Sequence, residues 1–304
     1  MMDDGQSSEP PAPCGEGAPS GPGPVMVSVV IPVLNASDVL PDQLEALTRQ
    51  TYTGVWEVIV ADNGSTDDSR EVATTFASRL PSLGVLQADD RPGPSHARNV
   101  GSREATGDLL LFCDADDVVS PGWVEAMALA SDDAAVLAGS GAEARDPHAI
   151  DPSEGRVPGS DSFRYLPWNR SSNIGVHRSV FQALGGFDEE RVLGEDVDFC
   201  WRAQLAGHQL RFVADAFVAY RDRSTLRTAM RRQFRFGRAA AGLYRDFVDN
   251  GAPEPSFRWV ASDLLLTILR FPGSVLRGDV RAWLNKVAGS MGRVVGWAEL
   301  RRST

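Results

Sequence analysis

Leu109-Leu110-Leu111-Phe112-Cys113-Asp114-Ala115-Asp116-Asp117 is the stretch on which the fold turns. An apolar run of strand length ends in an Asp-x-Asp pair, and the turn signal Ser120-Pro121-Gly122 follows. A buried strand holds its last residues rigidly, and open α/β sheets bind ligands at the carboxyl ends of their strands. Carboxylates placed there suit a hard divalent cation and, through it, a diphosphate. An isolated Asp-x-Asp is more often a solvated acidic turn, so the flanking chain has to decide.

Upstream, the pattern repeats. Val25–Val33 reads as a buried parallel strand ending near Pro32, and Leu40, Leu44 and Leu47 follow at helical spacing. Trp56–Ala61 is a second strand, stopped by Asp62-Asn63-Gly64-Ser65, and Ser65 or Thr66 caps a helix through Val72, Phe76 and Leu80. Gly84–Gln87 is a short third strand, Ser95–Thr106 a helix, and Leu109–Cys113 the fourth strand. This alternation predicts an α/β fold: a doubly wound, mostly parallel sheet with right-handed crossovers. It also puts Pro32–Asn35, Asp62–Ser65 and Asp114–Asp117 on one edge. Downstream, residues 140–170 read as loop and Asn173–Val176 as a short strand. Asp196–Ala206 reads as a helix stopped by Gly207, with Leu210–Val213 and Ala216–Tyr220 strand-like beyond it.

Composition narrows the class. The chain has 304 residues, 42% hydrophobic and 23% charged, and its net charge of -11 argues against a nucleic-acid partner. The charge is uneven: residues 1–220 carry a net -20 and residues 221–304 a net +9. Cys14, Cys113 and Cys200 have no metal or redox spacing and read as free thiols of a reducing cytosol. Residues 5–24 hold 11 Gly or Pro, so 1–24 is expected to be a disordered tail without a secretory signal. The expected organisation is that tail, an α/β domain over 25–222 and a basic helical appendage over 223–304. In the appendage, Trp259–Phe271 and Val280–Leu300 are amphipathic candidates, the second with Val280, Leu284, Val287, Met291, Val294 and Val295 as its apolar stripe. Leu264–Leu269 is too short to span a bilayer.

Five motifs appear in order: Val27–Asn35, Ala61–Asp67, Gly93–Gly101, Asp114-Ala115-Asp116 and Gly194–Arg202. Together they resemble the family 2 glycosyltransferases with the GT-A fold, over roughly residues 25–240. The resemblance implies transfer of a sugar from a nucleoside diphosphate sugar to an acceptor hydroxyl, inverting the anomeric centre. It implies Asp196 as general base with Glu195 beside it, and Asp116 as ligand of Mg²⁺ or Mn²⁺. Asp114 would touch ribose or metal, Asp62 the nucleobase, and Arg98 the base or phosphates. Backbone at Pro32 and Leu34 would lie along the base, and Gly93 would allow close approach. Trp168, Asn169, Ser172 and Asn173 would face the acceptor, with Trp201 and Arg202 following Asp196 on its helix.

The chemistry agrees. A diphosphate leaving group gains charge as the glycosidic bond breaks, a cation stabilises it, and the attacking hydroxyl needs a base on the opposite side. The sugar centre passes through an oxocarbenium-like state, as in glycoside hydrolysis. There is one departure: where many relatives carry a metal- or diphosphate-binding His, this chain has Tyr220, flanked by Arg221 and Arg223.

Among partners, UDP is the favoured donor nucleotide and a glycan or lipid-linked molecule the expected acceptor. The expected location is cytoplasmic, peripheral on the inner face of the cell membrane. Arg221–Arg245 holds eight Arg and the single acid Asp222. It reads either as a solvated helix on the acidic body or as an interfacial helix on anionic lipid. Rival classes fare worse. A dinucleotide oxidoreductase needs Gly-x-Gly-x-x-Gly after the first strand, and an Asp-nucleophile phosphatase carries its motif on that strand. A non-catalytic sugar-nucleotide binder or scaffold that keeps the GT-A fold stays open as the alternative.

Overall fold

The computed structural model describes residues 25–156, 163, 165–222, 225–254, 256–271, 278 and 280–303. The expected tail at 1–24, with Cys14, and Arg223 lie outside the described residues. The strands are β1 (Val27–Val33), β2 (Trp56–Asp62), β3 (Leu83–Gln87), β4 (Leu109–Phe112), β5 (Val118–Val119), β6 (Val136–Ala144), β7 (Ile174–His177) and β8 (Leu210–Arg221). The helices are α1 (Leu40–Leu47), α2 (Ser69–Thr74), α3 (Pro94–Glu104), α4 (Trp123–Ala130), α5 (Arg178–Ala183), α6 (Glu195–Leu205), α7 (Leu226–Asp246), α8 (Phe257–Leu269) and, last, α9 (Val280–Ser303).

One eight-stranded sheet runs β3-β2-β1-β4-β7-β6-β8-β5. β3, β2, β1 and β4 are parallel, as the alternation predicts. β7 then pairs antiparallel with β4 and with β6, while β6 and β8 are parallel. Successive β1 residues point to opposite faces of the sheet. Val29, Ile31 and Val33 pack with α1 and α4 through Leu44, Trp123 and Met127. Val30 packs on the other side with Phe112, Phe187 and α6. Both faces are thus covered, which explains why β1, β2 and β4 are continuous apolar runs.

Two expectations are corrected. Residues 140–144 are strand, because β6 runs through Ala144, and the two strand-like pieces at 210–220 are one 12-residue β8 with a register shift opposite Gly139 and Ser140. Gly139 and Gly141 disguise the strand in sequence. A Cβ at Gly139 would overlap the Asn173 side chain, and one at Gly141 the Tyr220 ring, so close packing demands glycine in an otherwise paired segment. The C-terminal helices follow β8. α7 joins the core through Ala240, Leu243 and Tyr244, with Tyr244 against Trp201 at 5.7 Å between ring centroids.

Candidate active site

The sheet order reverses between β1 and β4, and a cleft of about 740 Å³ opens at the carboxyl ends of these strands. The floor is built by two loops tied together. Backbone N–H groups of Asn35, Ala36 and Ser37, after β1, donate in turn to Ser65 Oγ (2.9 Å), Ser69 Oγ (2.8 Å) and Asp67 Oδ2 (3.0 Å), after β2. Asn35 sits at φ 49°, and its Oδ1 accepts from the Thr66 N–H at 2.8 Å. Burial opposes ionisation of Asp67, but hydrogen bonds from Ser69 and Ser37 outweigh it and hold this carboxyl at about 2. Pro32, near the end of β1, and Leu34, on this fixed loop, therefore line the cleft, Leu34 more than half exposed.

Two helices aim their N-termini at the cleft. Gly93, at φ 129°, precedes α3 and its N–H donates to Asn63 Oδ1 at 2.7 Å. Gly194, at φ 83°, precedes α6, whose first turn carries Glu195, Asp196 and Asp198. Each of these backbone angles favours glycine. The positive helix end suits the carboxylates of α6.

Arg98, on α3, is buried and ion-paired to Asp114, with Nη1 3.9 Å from Glu195 Oε1. Its Nε and Nη1 have no hydrogen-bond partner among the described residues. Buried donors of this kind call for a bound acceptor. Burial raises the pKa of Asp196 and the charge of Glu195 adds to it. The Val197 N–H, Arg98 and Arg170 pull the other way, and the carboxyl stands at about 7.

Past β4, oxygen atoms of Asp114, Asp116 and Asp117 lie within 4.8 Å of one another. Asp117 is buried, and its carboxyl is pushed well above the usual range by burial and then by the charges of Asp114 and Asp116. The Arg221 N–H donates to Asp117 at 3.2 Å, and Arg221 Nε donates to the Asp116 carbonyl at 3.0 Å. Three crowded hard oxygen donors are the donor set of a Mg²⁺ or Mn²⁺ site.

Tyr220 is buried nearby under Arg170, whose guanidinium carbon lies 4.4 Å from the ring centroid. Burial drives the phenol pKa up, so the hydroxyl stays protonated and offers no anionic ligand. Arg170 also pairs with Glu143 at 2.6 Å.

Pro32, Leu34, Gly93, Arg98, Asp114, Asp116, Trp168, Ser172, Glu195 and Asp196 all line this one cleft. Five other candidates stand outside its lining. Asn169 is buried in the core and donates to the carbonyls of Gly139 at 3.0 Å and Asn173 at 2.8 Å. Asp62 is buried at the end of β2, accepting from the Ser65 N–H at 3.2 Å. Asn173 is in the core, where it donates to the Ser140 carbonyl at 2.7 Å and accepts from Trp123 Nε1 at 2.8 Å. Trp201 Nε1 donates to the Leu166 carbonyl at 2.9 Å. Arg202 holds Asp198 and the carbonyls of Leu184 and Gly186. These side chains fix the scaffold behind the cleft.

Sequence reasoning missed Asp117 as a third member of the acidic cluster, although its adjacency to Asp116 was the available signal. It also missed Arg170, Arg232, Gln233 and Phe236, which line the cleft from a loop and from α7 and carry no local motif.

A family model described as glycosyl transferase family 2 matches residues 28–184, and one described as glycosyl transferase family group 2 matches residues 159–278. Glycosyltransferase AglE of Haloferax volcanii is 31% identical over 223 residues, 70% of this chain and 72% of that protein. Pre-mycofactocin glycosyltransferase of Mycobacterium tuberculosis is 32% identical over 250 residues, 77% of this chain but 51% of that protein, so the chain spans about half its length. Among solved structures, mannosyltransferase PcManGT from Pyrobaculum calidifontis, in complex with GDP-Man and Mn²⁺, superposes with a TM-score of 0.60 at 18% identity, covering 88% of this chain and 86% of that one. S. aureus TarS 1-349 in complex with UDP-GlcNAc gives 0.55 at 17% identity, covering 92% of each chain. Both share the mixed α/β fold described above.

Proposed function

The chain belongs to glycosyltransferase family 2, and on that premise we propose that it moves a sugar from a nucleoside diphosphate sugar to an acceptor hydroxyl with inversion at the anomeric carbon. One observation carries the reading: a single cleft holds Asp196 and the Asp114–Asp117 carboxylates, with Arg98 reaching both Asp114 and Glu195. The ligands of the PcManGT and TarS structures support a nucleotide-sugar donor, and uridine is the first base to test.

Asp196, as carboxylate, takes the proton of the acceptor hydroxyl as that oxygen attacks the anomeric carbon. Its pKa near 7 matches this task, since a base is most useful when half-ionised near the working pH. Arg98 offers two free donors to the departing diphosphate, charge-assisted and already desolvated. The N–H groups at the start of α3 and the absence of a side chain at Gly93 leave room for phosphate or ribose beside the backbone. Asp114, Asp116 and Asp117 would hold Mg²⁺ or Mn²⁺, which when bound neutralises charge on the leaving diphosphate. Tyr220 adds no ligand, so the three carboxylates carry that site. The acceptor is a glycan or lipid-linked hydroxyl compound, met at the cytoplasmic face of the cell membrane.

The test is Asp196→Asn, measured for transfer and for the thermal shift that nucleoside diphosphate sugars induce with and without Mn²⁺. We expect the shift to be kept and transfer to fall by roughly three orders of magnitude. If no nucleotide sugar stabilises the parent protein under either condition, the proposal fails.

A further inference from the structure

α8 and α9 are inverted relative to ordinary surface helices. α8 turns its polar groups inward: Asp263 pairs with Arg293 at 2.7 Å, and Thr267 Oγ1 lies 3.3 Å from Ser290 Oγ, both partners on α9. Its large apolar residues face out, with Leu265 57%, Leu266 53% and Leu269 64% exposed, and Phe257 and Ile268 exposed beside them.

α9 repeats the arrangement. Ala288, Gly289, Ser290, Gly292 and Gly296 are its buried residues, and a Cβ at Gly292 or Gly296 would overlap α7 backbone carbonyls. None of the apolar stripe Val280, Leu284, Val287, Met291, Val294 and Val295 is buried. Small residues between helices and large apolar residues outside is the packing of helices that face lipid rather than water. No helix among the described residues is long and apolar enough to cross a membrane. A helix pair with this arrangement would meet lipid by lying in the interface rather than by spanning it.

Charge identifies the surface. α8 and α9 are antiparallel, with Phe257 against Trp297 and Phe271 against Trp283. This brings Arg258 to the same end as Arg301 and Arg302, all exposed, opposite the end that carries exposed Lys286. Among the described residues, the acid within α8 is Asp263, already paired inward, and Glu299 is paired with Arg238, while Asp249 and Glu254 are exposed ahead of α8. On neighbouring α7, Arg227, Arg231 and Arg235 recur every fourth residue, exposed, and none is paired with an acid among the described residues. Apolar side chains rimmed by cations match an anionic lipid headgroup layer.

We propose that the α8–α9 face is a membrane-docking surface that inserts Leu265, Leu266, Leu269 and Met291 into the interface of an anionic bilayer. α9 packs along α7, which also lines the cleft, so docking would hold the cleft within one helix layer of the lipid. This inference is independent of the transfer reaction.

Vesicle flotation of the full chain tests it, with phosphatidylcholine vesicles and with phosphatidylcholine–phosphatidylglycerol vesicles. We expect the protein to float with the anionic vesicles, less so as salt rises, and to remain behind with the neutral ones. The double variant Leu265→Ser/Leu269→Ser should bind about tenfold more weakly with an unchanged melting temperature. Met291→Ser, on the other helix, should weaken binding in the same direction and covers the case in which the double variant fails to fold. Equal flotation with both vesicles, none with either, or unchanged flotation of the variants would overturn the proposal. So would a concentration-dependent dimer that these variants dissolve, which would assign the face to a second copy.

Discussion

Asp196 is held in opposition. Burial and Glu195 favour its protonated form, while Arg98, Arg170 and the helix end favour the carboxylate. Two outcomes follow. The kcat/KM profile should show an acid limb centred near about pH 7, and Glu195→Gln should move that limb to lower pH by removing the neighbouring negative charge. The effect on stability has the opposite sign to the effect on rate. The folded pKa lies above the unfolded one, so the folded state keeps an extra proton between about 4 and 7 and stability falls as pH rises through that window. Asp196→Asn should therefore melt higher than the parent above about pH 7, by a few degrees, and the gain should shrink toward pH 4. Scanning calorimetry of both proteins across this range decides it.

Arg98 behaves differently. It is buried, and its loss strands Asp114 and Glu195, so Arg98→Met should cost roughly 3 kcal/mol of stability and weaken donor binding together. Both residues are legible in sequence because they sit in ordered motifs. Asp62 is legible as well, yet its side chain turns into the strand end toward Ser65.

The loops and helix ends do the positioning. Asp67 secures the Ser37 N–H and Ser69, and through them the loop carrying Leu34. Because its folded pKa of about 2 lies below the unfolded value, its contribution is complete above about pH 4 and disappears as pH falls toward about 2. Asp67→Ala should lower the melting temperature at neutral pH, raise the KM for the donor more than it lowers kcat, and lose its stability difference from the parent in acid. Thermal melts at several pH values check this.

The α7–α9 contact is set by glycine. Gly292→Leu would push its side chain into the Phe234 carbonyl on α7 and should destabilise the C-terminal layer by about 2 kcal/mol or more, read as a separate early loss of helical signal on heating. Sequence periodicity places these helices and marks the apolar stripe of α9, but it does not say what that stripe faces. The structure turns the small residues inward and leaves the stripe unburied.

At the scale of the molecule, one mixed sheet brings five separated motifs to a single edge. A nucleoside diphosphate sugar at about a hundred times its Kd should raise stability by about 2.7 kcal/mol, a melting shift of a few degrees for a chain of this size. Mn²⁺ should enlarge the shift, and Asp116→Ala should remove the enlargement. The sequence by itself determined the parallel half of the sheet, because buried parallel strands are unbroken apolar runs and crossover helices keep a 3.6-residue period. It also determined most of the cleft, because Asp114, Arg98 and Asp196 lie in local motifs at strand and helix ends. Only the tertiary structure decided the antiparallel half, where Gly139 and Gly141 hide a strand whose demand is close packing rather than hydrophobicity. It alone brought Arg170, Arg232, Gln233 and Phe236 to the cleft wall and turned α8 and α9 apolar side out. Those facts depend on contacts between segments distant in sequence, for which no local spacing carries a signal.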